Sequence, residues 1–376
     1  MMEKGTTRAR WLVVLAALAV FASACTSGAG TSAAPSAAAP SAAAPSAAAP
    51  SGSAAAGSYT IGFSNPGGVG NGWREAMICS AKAQAAKSGQ VTEVSVTHRD
   101  TDAAGQLSDI RDLIAKGVDA IVINPADPAA LNPALAEAEA ADIVVVSVDA
   151  PVTAPNAYNL SNNQEEYAYL GAKWLFEQLG GNGAVVYMRG IAGHPADTDR
   201  DTGFKRAMAE FPGITIAKET ATKWDPATGV AQINDVMSSG IAFDGIWTSG
   251  IDQGIVDALK TAGHEWVPIV GADNAGFVQQ LLNEEGLVGA AVTNPPAVGG
   301  AGVELALRIL NGEAPDSQTV LVNPELWNNA DEAGKAKLAE AADPSIDPLW
   351  PLGLTVPEWT TYTKEEVIAC KGPGES

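Results

Sequence analysis

The sequence predicts an α/β protein made of two doubly wound parallel-sheet lobes joined by a hinge. Short β-branched runs alternate along the chain with stretches whose apolar residues recur every three or four positions, the spacing of helices buried on one face. Apolar strands flanked by such helices form parallel sheets covered on both faces. About nine strand–helix units follow one another, more than one sheet of ordinary size holds, so the domain divides into two lobes.

The expected strands are 59–64, 92–97, 120–123, 143–148, 184–188, 215–218, 245–248, 268–270 and 289–292. Between them lie helical stretches such as 105–115, 166–178, 202–210, 230–238, 253–262 and 300–310. Ligands of open parallel sheets sit beyond the carboxyl ends of the strands. The residues there are Ser64-Asn65, Asn124 to Asp127, Asp149, Arg189, Asp252, Asp273-Asn274 and Thr293-Asn294. Such planar polar side chains bind pairs of neighbouring hydroxyls. Trp73, Trp224 and Trp247 fall near the same rims, where an indole face can cover the C–H face of a sugar ring.

The ends of the chain differ from its middle. Lys4, Arg8 and Arg10 precede the apolar run from Trp11 to Ala22, which is too short to span a bilayer and reads as a secretory signal over 1–24. Ala22-Ser23-Ala24-Cys25 resembles a bacterial lipobox, which makes Cys25 the lipidated residue; the alternative is ordinary cleavage with Cys25 incidental. From 25 to 57 the chain is almost wholly Ala, Ser, Pro, Gly and Thr, with Pro35, Pro40, Pro45 and Pro50 five apart. Each proline costs a helix interior roughly 3 kcal/mol, and no large apolar side chain is present to bury, so this is a tether.

Composition excludes several classes. The 376 residues carry 22 Lys plus Arg against 43 Asp plus Glu, a formal net charge of −21. A nucleic-acid or anionic-membrane binder needs the opposite footprint. Three cysteines do not make a disulfide-dense scaffold. With Cys25 assigned to the lipid, Cys79 and Cys370 remain in an exported chain, where disulfides persist; joined, they tie the tail to the first helix, and otherwise they are two separate buried thiols. The aspartates in the run 194–201 mimic the spacing of a calcium loop, but counted from Asp197 the sixth place is not Gly and the twelfth is Met208, so no metal is expected. No phosphate-binding G-x-x-x-x-G-K-[ST] motif or G-x-S-x-G nucleophile elbow occurs, and no cofactor is expected. Asp149 and Asp273 leave a glycosidase pair open.

The order of IGFSNPGGVGNGW, INPAD, VVVSVDAP, RDTGF and VGADNAG resembles the sugar-binding proteins of bacterial ABC importers, specifically the ribose-binding type with the type I periplasmic-binding-protein-like fold. The resemblance covers about 58–312 and implies a binding protein, not an enzyme. It implies ligand contacts from Asn65, Trp73, Asn124, Asp149, Arg200, Trp224 and Asp273, with Thr293 or Asn294 in place of the family's Gln. Arg200 has a competing reading as the ion-pair partner of Asp197, Asp199 or Asp201. The expected lobes are 58–161 plus 294–322, and 162–293 plus 323–376, with hinge crossings near 160–163, 293–295 and 320–326. The expected partners are a monosaccharide or polyol, an ABC permease with a separate ATPase, and the membrane through the lipid alone. The protein is expected to be an extracytoplasmic monomer. A sugar sensor or a secreted carbohydrate-active enzyme are the alternatives.

Overall fold

The computed structural model describes residues 59–375. The leader, Cys25 and the tether lie outside the described residues. In chain order the elements are β1 (Tyr59–Pro66), α1 (Gly72–Ser88), β2 (Val91–Arg99), α2 (Ala103–Lys116), β3 (Ala120–Ile123), α3 (Asn132–Ala140), β4 (Val144–Val148), β5 (Tyr158–Asn162), α4 (Gln164–Gln178), β6 (Asn182–Arg189), α5 (Pro195–Glu210) and β7 (Gly213–Ala221). There follow α6 (Pro226–Ser238), β8 (Gly245–Trp247), α7 (Asp252–Ala262), β9 (Ile269–Ala272), α8 (Ala275–Asn283), β10 (Gly289–Val292), α9 (Val298–Leu310), β11 (Thr319–Val322), β12 (Leu326–Asn328), α10 (Glu332–Ala341) and α11 (Lys364–Ala369).

Among the described residues the strands form two six-stranded sheets, in the orders β11-β5-β4-β3-β1-β2 and β12-β10-β9-β8-β6-β7. Every pairing is parallel except that of β12 with β10. The central strands are apolar and covered on both faces: β3, β9 and β10 are buried at every residue. Each sheet has two apolar layers. In the first lobe Phe63 and Val122 face α1 and α9, while Ile121 and Ile123 face α2 and α3. In the second, Trp247 packs with Tyr167, Tyr187 and Phe204, so it is a core residue.

The chain passes between the sheets three times, from β5 to α4, from β10 to α9 and from β11 to β12. The tail departs from the expected division. It starts on the second lobe, where α10 packs against α8 and β12, but α11 packs on α1 of the first lobe. There Cys370 forms a disulfide with Cys79, 291 positions earlier. Tyr362 and Val367 are buried in the same apolar cluster as Cys79 and Ala83, which draws the chain back.

Two local details prepare the cleft. Several of the helices that follow strand ends start on side-chain caps: Asn71 accepts from the Arg74 amide, Asn163 from Glu166, His194 from Ala196 and Asp225 from Thr228. Such caps satisfy orphan amides and fix where each helix begins. The segment 194–201, which mimics a calcium loop, is the start of α5, with Pro195 in its first turn. Its Asp197 accepts from Arg189 and from the amide of Gly190.

Candidate functional site

A cavity of about 670 Å³, its open mouth included, lies where the strand ends of the two sheets meet. The first lobe contributes Asn71, Trp73 and Arg74 from the start of α1, and Asp149 from the end of β4. The second contributes Arg200 from α5, Trp224 and Pro226 around the start of α6, Ser249 after β8 and Asn274 after β9. Asn294 enters from the crossing between β10 and α9, and Leu349 from the tail.

Arg200 and Asp149 are linked through one amide. Arg200 Nε donates to Gln164 Oε1 at 2.8 Å, and Gln164 Nε2 donates to Asp149 Oδ1 at 2.7 Å. The guanidinium lies 4.3 Å from the Tyr167 ring centroid and 5.6 Å from that of Trp224. With its amide oxygen turned toward the two definite donors, Asn294 accepts from Arg200 Nη2 at 3.1 Å. Of the three aspartates expected to compete for Arg200, Asp197 and Asp201 both pair with Arg189. Arg200 is therefore held by Gln164, Asn294 and the two rings, without a direct ion pair among the described residues. Burial pushes the Asp149 carboxyl above its usual range, opposed by the charges of Arg200 and Arg74. Asp149 has φ +68°, a left-handed conformation that costs a non-glycine residue about 1 kcal/mol or more and is kept where a side chain must be aimed.

Trp224 is aimed in the same way. Lys223 and Trp224 have φ of +59° and +54°. The indole lies on Gly190, where an added Cβ would stand 2.1 Å from the ring, so only glycine admits it. Its Nε1 donates to Ser249 Oγ at 3.2 Å, and His194 meets the ring edge-on at 5.1 Å. Trp73, on the opposite lobe, donates from Nε1 to the Asn294 carbonyl at 2.6 Å. His194 is buried, and that burial, reinforced by Arg74 and Arg200, pushes it down to about 3, so it is neutral.

Of the eight expected ligand residues, Trp73, Asp149, Arg200, Trp224 and Asn294 border the cavity. Asn65, Asn124 and Asp273 are buried behind its wall. Asn65 accepts from Arg74 Nη1 at 2.8 Å and so holds a side chain that does reach the cavity. Asn124 places its amide 4.0 Å from Met77 Sδ. Asp273 accepts the amides of Asn294 at 3.0 Å and Gly353 at 2.9 Å, tying a hinge crossing to the tail. Its carboxyl is pushed up to about 6 by burial, against those backbone bonds. Fully buried and outside the cavity lining, Asp273 is not placed to act there as the second carboxylate of a glycosidase.

Arg74, Gln164 and Leu349 were not singled out by sequence reasoning. Arg74 follows Trp73 directly, and its signal was the helix start that cap geometry marks. Gln164 follows a polar strand that hydrophobic patterning passes over, and Leu349 lies in the tail. The cavity as a whole offers two guanidinium groups, one carboxylate, several amides and two indoles, a set suited to a small, hydroxyl-rich molecule.

The chain matches the family model described as "Periplasmic binding protein domain" over residues 61–314. It is 28% identical over 239 residues to the xylitol-binding protein of Mycolicibacterium smegmatis, covering 62% of this chain and 68% of that one. It is 25% identical over 213 residues to the ribose import binding protein RbsB of Escherichia coli, covering 56% and 72%. Among solved structures it resembles an ABC transporter solute binding protein from Thermobispora bispora, at a TM-score of 0.69 and 26% identity over 83% of this chain and 94% of that one. These are substrate-binding proteins and not enzymes. With two parallel sheets, a cleft at their strand ends and a family match over more than half its length, the chain belongs to the periplasmic binding protein domain family.

Proposed function

We propose that this chain is an extracytoplasmic lipoprotein that captures a simple sugar or polyol between its two lobes and delivers it to an ABC-type permease. The observation that carries the reading is the pairing of flat aromatic faces with oriented polar forks in one cavity: Trp73 and Trp224 on opposite lobes, with Arg200, Asp149, Arg74 and Asn294 between them. The relatives named for xylitol and ribose support the ligand class. The roles follow from chemistry. The indoles cover C–H faces, Arg200 and Arg74 donate to hydroxyl oxygens, and Asp149 and Asn294 accept from hydroxyl hydrogens. Asn65 and Asp273 position Arg74 and Asn294, and Asn124 supports the floor beneath α1. A hydroxyl without its partner leaves a buried polar group unpaired, at about 1–3 kcal/mol, which is the source of selectivity.

Cys25 carries the lipid, and the tether lets a monomeric receptor move near the membrane while a separate ATPase drives transport. The strongly acidic surface suits this role and not nucleic-acid binding. Melting curves against xylitol, D-ribose, hexoses and cyclitols test the ligand class. A ligand present at one hundred times its Kd stabilises by about 2.7 kcal/mol, a clear upward shift. No shift across the whole panel would overturn the reading.

A further inference from the structure

The tail gives the cavity a wall of its own. Asp347 bends the chain: its side chain accepts the Leu349 amide at 2.8 Å and its carbonyl accepts that of Trp350 at 2.8 Å. The next atoms cap a helix of the second lobe. The first amides of α8, which have no partner within the helix, are taken by the tail: Ala275 donates to the Trp350 carbonyl and Gly276 to the Pro348 carbonyl, each at 2.9 Å. Leu352 and Gly353 then donate to the carbonyl and carboxylate of Asp273. Leu349 is the residue of this turn that borders the cavity, and it is 41% exposed.

The same turn touches the first lobe. A Cβ on Gly72 would stand 2.4 Å from the Leu349 carbonyl oxygen, so the turn abuts the start of the helix that carries Trp73 and Arg74. Farther on, Trp359 lies beneath Arg308 at 4.5 Å, Thr361 donates to Gln84 Oε1 at 2.9 Å, and Cys370 is bonded to Cys79. One apolar cluster runs from Phe277 of α8 through Leu352 and Leu354 to Cys79 of α1. The wall is fixed on both sides and is not a free end resting on the cleft.

We infer that Leu349 determines specificity, closing one end of the binding cavity and limiting the length of the ligand admitted. The inference rests on the sugar-binding reading above and deepens it. The ligand class is a compact monosaccharide or polyol that ends at this wall. A hydroxylated extension there meets an aliphatic side chain that offers its hydroxyls no partner, and an apolar contact with the ligand's carbon skeleton is gained instead.

The test compares wild type with Leu349→Ala and Leu349→Asp in calorimetric titrations against xylitol, D-ribose, D-glucose, their methyl glycosides where these exist, and disaccharides. Leu349 is half-exposed, so neither substitution opens a core. The expected result is a loss of about three- to tenfold in affinity for the compact ligand in Leu349→Ala, the scale of a half-buried apolar contact. The same variant should gain binding of a methyl glycoside or disaccharide that wild type rejects, and Leu349→Asp should weaken the compact ligand further. If wild type binds a compact ligand and both variants match its affinity within twofold and its ranking of ligands, the inference about Leu349 is overturned while the sugar-binding reading stands. If wild type binds nothing in the panel, the sugar-binding reading is overturned and this inference falls with it. Strong binding of disaccharides by wild type also overturns the wall.

Discussion

Asn71 Nδ2 donates to the main-chain carbonyl of Trp224 at 3.2 Å, from the first lobe to the second. The bond joins the cap of α1 to the strained residue whose indole faces the cavity, and it exists only while the lobes are together. Hinge closure around a ligand is a known motion of two-lobed binding proteins, and this contact stabilises the closed form without touching the ligand. Asn71→Ser keeps a side chain able to cap α1 but too short to cross. Affinity should fall by about two- to tenfold, the range of one neutral hydrogen bond, through faster dissociation. Stopped-flow release of bound ligand measures it, and an unchanged off-rate would show that the bond does not hold the closed form.

Arg200 and Asp273 should respond differently to truncation. Arg200→Ala removes a cavity donor held by Gln164 and Asn294 and should abolish the ligand-induced melting shift. Arg200→Lys should restore little, because an ammonium lacks the planar fork. Asp273→Ala leaves the buried amides of Asn294 and Gly353 without partners. At about 1–3 kcal/mol for each buried group left unsatisfied, that variant should melt several degrees lower even without ligand. Paired melting curves of the two variants, with and without ligand, check the contrast.

His194 makes stability depend on pH. Its folded value lies far below the 6.5 of the free side chain, so the folded state refuses a proton that the unfolded chain accepts. The contribution is fully present above pH 6.5 and is lost as pH falls from 6.5 toward about 3. The loss is about 1.4 kcal/mol per pH unit in that window. Asn at 194 can cap α5 as the imidazole does but does not titrate. Unfolding free energies of wild type and His194→Asn should therefore diverge between pH 6.5 and 4.5, with the variant gaining relative to wild type as pH falls. Parallel curves would mean that the imidazole titrates normally.

The Cys79–Cys370 disulfide closes a loop of 291 residues. Long loops lose the most entropy on closure, and a bridge of this kind contributes roughly 2–5 kcal/mol. Cys79→Ser/Cys370→Ser, or reduction, should lower the melting temperature by several degrees. An unchanged melting temperature would mean that the tail's other contacts suffice.

Much of the fold was legible because its central strands are continuous apolar runs. β3 and β10 have the bounds that hydrophobic patterning predicts. β5, β11 and β12 were not read. Tyr158–Asn162 alternates polar residues with a single Leu, and Thr319–Val322 lies at a sheet edge with two of its four residues exposed. α5 begins at Pro195 and not at 202, because Asp197, Asp199, Arg200 and Asp201 crowd its first turns and hide an apolar face that Phe204 and Ala207 supply only later. At the site, five of the eight residues named from the sequence border the cavity. Strand-end reasoning does not say which way a strand-end side chain points, and so Asn65 and Asp273 proved to support the residues that border the cavity. The hydrogen bonds that decide this, to Arg74 and to the amides of Asn294 and Gly353, run between distant parts of the chain.

Calorimetric titration of the purified domain, beside Arg200→Ala, tests the central claim most directly. The account predicts one site per chain for at least one pentose, hexose or polyol, saturable in wild type and undetectable in the variant at the same concentrations. Heat of binding that is absent throughout the panel, or that survives undiminished in Arg200→Ala, would contradict it.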